Sequence, residues 1–292
     1  MTTPCKGAAI STGEKGRAKA LPFLFGENDP LPVLPGRVTK RPLMTLTPQR
    51  EPLLNVPPVV VATLSVMGLV HAARLFLAPR ADLEFLLTFA FIPARYDFGV
   101  LPGGGLPGGW GAEIWTFVTY AVLHADVMHL GINAVWLLAF GTPLARRLGA
   151  LRFLVFFAVT AIAGAAAHLA THGGELVPMI GASAAVSGAM AAAMRFAFQR
   201  GGPIWQRGRE AASYQVPAIS LGATLRDPRI LAFFAVWLGI NLLFGLGAIS
   251  LAGADQPIAW QAHVGGFLAG LLLFGFFDPV RGERPATNNT SD

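Results

Sequence analysis

Gly181-Ala182-Ser183-Ala184-Ala185-Val186-Ser187-Gly188-Ala189-Met190-Ala191-Ala192-Ala193-Met194 is small and apolar throughout, apart from two hydroxyls, and carries no charge. About eighty residues later a second stretch, Ala262-His263-Val264-Gly265-Gly266, opens another apolar run. The first places a hydroxyl, Ser183, at the start of its run; the second places a lone imidazole, His263. Polar side chains are costly inside a bilayer and are kept there for a function. A serine and a histidine able to meet across two helices suggest a nucleophile and its base.

Working outward, the 292 residues are 53% hydrophobic and 13% charged, against roughly 25% charged in soluble domains. Repeated apolar runs favour one polytopic membrane domain over two soluble ones. A single cysteine, Cys5, excludes an intrachain disulfide and a cysteine-based zinc site. The formal charge of +6 does not point to nucleic acid, because the arginines fall between apolar runs with no basic stripe bearing stacking aromatics.

Residues 1–56 are basic and broken by Pro22, Pro30, Pro32, Pro35 and Pro42, and are expected to form a largely disordered cytoplasmic tail. Six spans are expected over 57–280: Pro58 to Phe76, Val127 to Arg146, Phe153 to His172, Gly181 to Phe198, Arg229 to Ser250, and Trp260 to Phe277. Between the first two lies a long connection whose Gly103-Gly104-Gly105-Leu106-Pro107-Gly108-Gly109 forbids a continuous helix. Its alternation of Phe, Leu, Trp and charge suits helices lying at the membrane interface. Arg146, Arg147 and Arg152 lie between spans two and three, and Arg195 to Arg229 surround the connection between four and five. Arg281 and Arg284 follow span six in a short tail, 281–292. The positive-inside rule then puts both termini in the cytoplasm, with Arg74, Arg80 and Arg95 outside beside Asp82, Glu84 and Asp97.

This topology, which follows from hydropathy and the arginines alone, brings Ser183 and His263 to the same outer depth. A third segment, His124-Ala125-Asp126-Val127-Met128-His129-Leu130-Gly131-Ile132-Asn133, sets His129 and Asn133 four apart on one helix face. An amide and an imidazole N–H, with backbone N–H groups near Ser183, are the donors that an acyl-transfer intermediate needs for its negative oxygen. The same His/His/Asn group invites a metal, but no second carboxylate or HExxH-type pair accompanies it. His71 in span one has no ordered motif around it, and His168 and His172 fall near the outer end of span three, where they are expected to be interfacial. Gly266 and Gly270 form a GxxxG face on which span six can approach the small residues of span four. Gly265, about 100° around the helix, is expected to tolerate a side chain better.

His124-x4-His129-x3-Asn133, Gly181-x-Ser183 and His263-x2-Gly266-x3-Gly270, in that order across six spans, resemble the rhomboid intramembrane serine proteases. The likeness covers roughly residues 57–280. It implies an all-α, six-helix rhomboid-type bundle with a long membrane-associated first loop. It implies a Ser183–His263 dyad without an acidic third member, and an oxyanion site of Asn133, His129 and backbone N–H groups at Ser183 and Ala182. His124, Gly181, Gly266 and Gly270 would be structural, and the loop before span six would cap the site. The implied enzyme is an endopeptidase of a bacterial inner membrane, needing no cofactor. It would cut single-span membrane proteins near the outer face, with the bilayer as its other partner.

Three positions depart from the family pattern. Ala184 stands where glycine is common, Ser187 where an aromatic ring often stacks on the catalytic imidazole, and Trp115-Thr116 where a Trp-Arg pair is common. The second departure questions how His263 is oriented, the third what steadies the first loop. Ser187, one turn beyond Ser183, is also a rival nucleophile. The alternative functions are an inactive rhomboid-like protein that binds or escorts membrane proteins, and a solute transporter. No repeat between halves and no buried carboxylate supports the transporter.

Overall fold

The computed structural model describes residues 55–97, 99–101, 105–204, 211–247 and 258–280. The expected tails, 1–56 except its last two residues and 281–292, lie outside the described residues, as do 248–257 of the loop before span six. Proline opens three helices at their first position, where its missing N–H has no intrahelical partner to lose: α1 (Pro58–Leu75), α2 (Pro79–Phe89) and, later, Pro228–Gly245. α3 (Gly109–Thr119) completes the long first connection. α4 (Val127–Trp136) runs through a π turn, Leu137–Gly141, into α5 (Thr142–Leu148). The wider turn sits where Pro143 removes a backbone donor from the helical ladder. α6 (Ala150–Thr171), α7 (Ser183–Ala197), the short α8 (Leu221–Thr224), α9 (Pro228–Gly245) and α10 (Trp260–Phe277) follow.

Among the described residues five segments are long and apolar enough to cross a membrane: α1, α4 through α5, α6, α9 and α10. The sixth expected span is α7, a helix of 15 residues, or about 22 Å, against a hydrocarbon core of ~30 Å. α7 is buried along nearly its whole length and packs against α6, α10 and the π turn. Its small side chains make that possible. A Cβ on Gly266 would collide with the Ala184 carbonyl, and one on Gly270 with the Gly188 carbonyl, so α10 meets α7 backbone to backbone. The expected GxxxG contact is present. Gly265 corrects the accompanying expectation: it faces α6, where a Cβ would lie 2.7 Å from the Ala163 carbonyl oxygen. Two adjacent glycines serve two different helices.

Among the described residues there is no strand, only an isolated bridge between Phe91 and Met179 that ties the first loop to the chain entering α7. Buried Arg95 donates to the carbonyls of Leu87 (2.6 Å) and Pro107 (2.9 Å). The loop thus has a buried guanidinium, supplied from position 95. Thr116 donates to the Ala112 carbonyl and pairs with the Tyr96 hydroxyl at 3.1 Å. Trp115 Nε1 donates to the Thr88 carbonyl and joins α3 to α2. At the opposite end, Arg147 is fully buried, pairs with Asp278 at 2.8 Å and donates to the Tyr214 and Val216 carbonyls.

Candidate active site

Ser183 is the first residue of α7, and the first N–H groups of a helix have no intrahelical acceptor. No side chain caps them, because Ala182 holds the capping position. The chain reaches that point through Gly181 at φ 119°, a conformation natural to glycine. The Gly181 N–H donates to the Tyr120 carbonyl at 3.0 Å. A Cβ on Gly181 would lie 2.7 Å from His129 Nε2 and 3.8 Å from Asn133 Nδ2. The absent side chain is what lets the imidazole and the amide close on the backbone just before Ser183.

α4 presents both groups. Its N-cap, Asp126, accepts from the His129 N–H at 2.8 Å, a local bond that starts the helix. The Ala125 N–H points at His129 Nδ1 at 3.5 Å, an arrangement that leaves Nε2, on the Gly181 side, to carry the ring proton. Asn133 is buried and donates one amide N–H to the His129 carbonyl at 3.0 Å, so its second remains available. His124 is buried with its ring against that of His129, centroids 5.1 Å apart, and its carbonyl accepts from Arg74 at 3.0 Å. Arg74 is also paired with Asp82 at 2.7 Å, so His124 sits at the junction of α1, α2 and α4.

His263 lies in the first turn of α10. It lines a cavity of about 1270 Å³ together with Ser183, His129 and Asn133. Ser183 and His263 thus share one space; among the described residues no hydrogen bond joins their side chains. Such bonds are often loose in unliganded enzymes and tighten with substrate. Ser187 is buried, and its hydroxyl donates to the Ser183 carbonyl at 2.7 Å, the back-bond of a helical serine.

One residue escaped the sequence reading. Asn241 of α9 is 8% exposed, and its Oδ1 lies 2.5 Å from His263 Nδ1. The signal was available, since a lone amide in an apolar span needs a partner.

Residues 111–278 match the family described as Rhomboid domain. The chain belongs to the rhomboid family. It is 27% identical over 245 residues to rhomboid protease GlpG of Yersinia pseudotuberculosis, an alignment covering 83% of this chain and 68% of that protein. Its identity to rhomboid protease GlpG of Pectobacterium atrosepticum is 28% over 225 residues, covering 76% of this chain and 64% of the relative. The matched span of this rhomboid begins in α3, ends at Asp278 and includes every residue of the candidate site; α1 and α2 precede it. Five apolar spanning helices and family membership make this rhomboid an integral multi-pass membrane protein with an all-α bundle.

Proposed function

We propose that this rhomboid is an endopeptidase whose unit at residues 57–280 cuts single-span membrane proteins near the outer face of a bacterial inner membrane, with both termini in the cytoplasm. Membership of the family, with relatives named rhomboid proteases, makes the chain a hydrolase of peptide bonds. The finer mechanism is supported by one observation above the rest: Ser183, His263, His129 and Asn133, drawn from three helices, line a single cavity.

Ser183 attacks the scissile carbonyl while a ring nitrogen of His263 takes its proton. The oxygen that becomes negative is met by the N–H of Ser183 and that of Ala182, the free amide hydrogen of Asn133 and the Nε2–H of His129. The close approach of His129 to Gly181 and the Asp126 cap at the start of α4 support donors held in place before substrate arrives. The intermediate collapses as the peptide C–N bond breaks and His263 gives its proton to the leaving amine; water, deprotonated by His263, then hydrolyses the Ser183 ester.

The test is labelling of purified protein with a fluorophosphonate, followed by mapping of the modified residue. Labelling at Ser183, lost together with substrate cleavage in Ser183→Ala, is the expected result. Modification at another residue, or cleavage retained in Ser183→Ala, would overturn the assignment.

A further inference from the structure

We infer that Asn241 is a positioning residue for catalysis: its amide oxygen fixes the proton of neutral His263 on Nδ1 and leaves the lone pair of Nε2 for the serine. The inference rests on Ser183 and His263 being the reacting pair, and it adds a third, uncharged member on a third helix.

The orientation of the amide follows from its other bond. Asn241 Nδ2 lies 2.7 Å from the Trp237 carbonyl oxygen, an acceptor that only an N–H can satisfy. Oδ1 therefore faces His263 Nδ1 at 2.5 Å, and an acceptor there requires the proton to be on Nδ1. A neutral imidazole has one proton, so Nε2 is the acceptor, the state a general base needs. When the Ser183 Oγ proton moves to Nε2, the imidazolium charge is shared with the N–H donated to Asn241, and that bond becomes charge-assisted. The proton returns from Nε2 to the leaving amine, so nothing is consumed.

α9 and α10 hold this contact in register. Trp237 stacks on Phe267 with centroids 4.5 Å apart and planes 17° apart. Asn241 and Trp237 are one turn apart on α9, as are His263 and Phe267 on α10. The carbonyl that orients Asn241 thus belongs to the residue whose ring clamps the two helices. A third rung places Gly245 against the Trp260 ring, where a Cβ would lie 2.7 Å from Cγ. Position 187 offers His263 no ring, and its hydroxyl is committed to the Ser183 carbonyl. The imidazole is instead held from α9. The cavity that His263 lines also carries the titratable groups of Asp126 and His129 at the start of α4, His168 and His172 at the end of α6, and Glu175 beyond it; Asn241 itself is uncharged.

The experiment uses the full chain in nanodiscs with a fluorogenic transmembrane peptide, comparing wild type, Asn241→Leu and Asn241→Asp, with thermal unfolding of each. Asn241→Leu keeps the bulk and removes the acceptor. It should lower kcat on the order of 10- to 100-fold, the range seen when the hydrogen-bond partner that orients a metal-bound imidazole is removed, with KM little changed. Asn241→Asp restores an acceptor, so it should recover turnover and move the acid limb of the pH–rate profile to higher pH, because a carboxylate favours the imidazolium. Nitrogen NMR of histidine-labelled wild type should find the His263 proton on Nδ1, with His263→Gln identifying the signal. Wild-type kcat in Asn241→Leu, an unshifted acid limb in a folded Asn241→Asp, or a proton on Nε2 would each overturn the role of Asn241. Cleavage retained in Ser183→Ala, measured alongside, would instead overturn the reacting pair.

Discussion

Gly266 of α10 lies so close to Ala184 of α7 that a methyl group added to it would run into the Ala184 carbonyl. That contact sets how near the helix bearing His263 comes to the helix bearing Ser183. Gly266→Val should lower thermal stability, since overpacking typically costs ~1–3 kcal/mol. It should also cut turnover by on the order of 100-fold if the reacting atoms separate by ~1 Å. Gly265→Val should destabilise as well, against Ala163 and Ala167 of α6. Gly239→Ala, with open space around it, is the control and should be neutral or slightly stabilising. Calorimetry and cleavage rates on the three variants check this; a fully stable Gly266→Val would be inconsistent with the packing described.

Gly181 answers to both backbone and site. Its φ of 119° disfavours any other residue, and an added Cβ would meet the His129 ring. Gly181→Ala should therefore displace the ring, and Asn133→Ala should remove a donor outright. Loss of one oxyanion donor typically costs ~100- to 1000-fold in turnover, the lower end being expected where several donors share the charge. Both variants should lower kcat more than they raise KM. Unchanged kcat with a large fall in melting temperature would make Asn133 a structural residue.

Ser187→Ala removes a hydroxyl already committed to the Ser183 carbonyl. Turnover and fluorophosphonate labelling should both persist. Loss of labelling here, with labelling kept in Ser183→Ala, would transfer the nucleophile's role to Ser187.

Ser183, His263 and Asn133 were legible in the sequence because each is a polar atom in an apolar run, where its presence needs a reason. Asn241 carries the same signal, but no neighbour at helical spacing on its own helix reveals its partner, which lies 22 residues away on α10. Gly265 departs from the expectation of a single packed face because α10 packs on both α6 and α7. Arg147 and Arg195 read as topology markers between spans. The fold buries Arg147 against Asp278 and turns Arg195 onto the Ile219 carbonyl, long-range contacts that no local pattern encodes.

The Arg147–Asp278 pair yields a prediction about stability alone. Arg147 has no exposed side-chain surface and Asp278 has 8%, and its guanidinium also lies 4.6 Å from the Phe196 ring centroid. Breaking one side of a buried pair is typically worth ~3–5 kcal/mol, because the other charge is left without compensation. Arg147→Met should lower the melting temperature sharply, and Arg147→Met with Asp278→Asn should recover part of the loss. A double variant no more stable than the single would show that the carbonyl contacts, not the ion pair, dominate.

The remaining prediction concerns acid. His124 is buried in the connection before α4, and burial pushes its pKa down from an ordinary 6.5 to about 4, with His129 adding to the effect. The folded protein therefore binds this proton less readily than the unfolded chain does. Stability rises with pH wherever the unfolded state holds more protons, so the contribution is complete above about pH 6.5 and is lost as pH falls toward about 4. Between about pH 7 and about pH 4.5 the melting temperature of the wild type should fall, and the fall should be smaller in His124→Leu, which has no proton to bind. An equal fall in both proteins would assign the acid sensitivity to other groups.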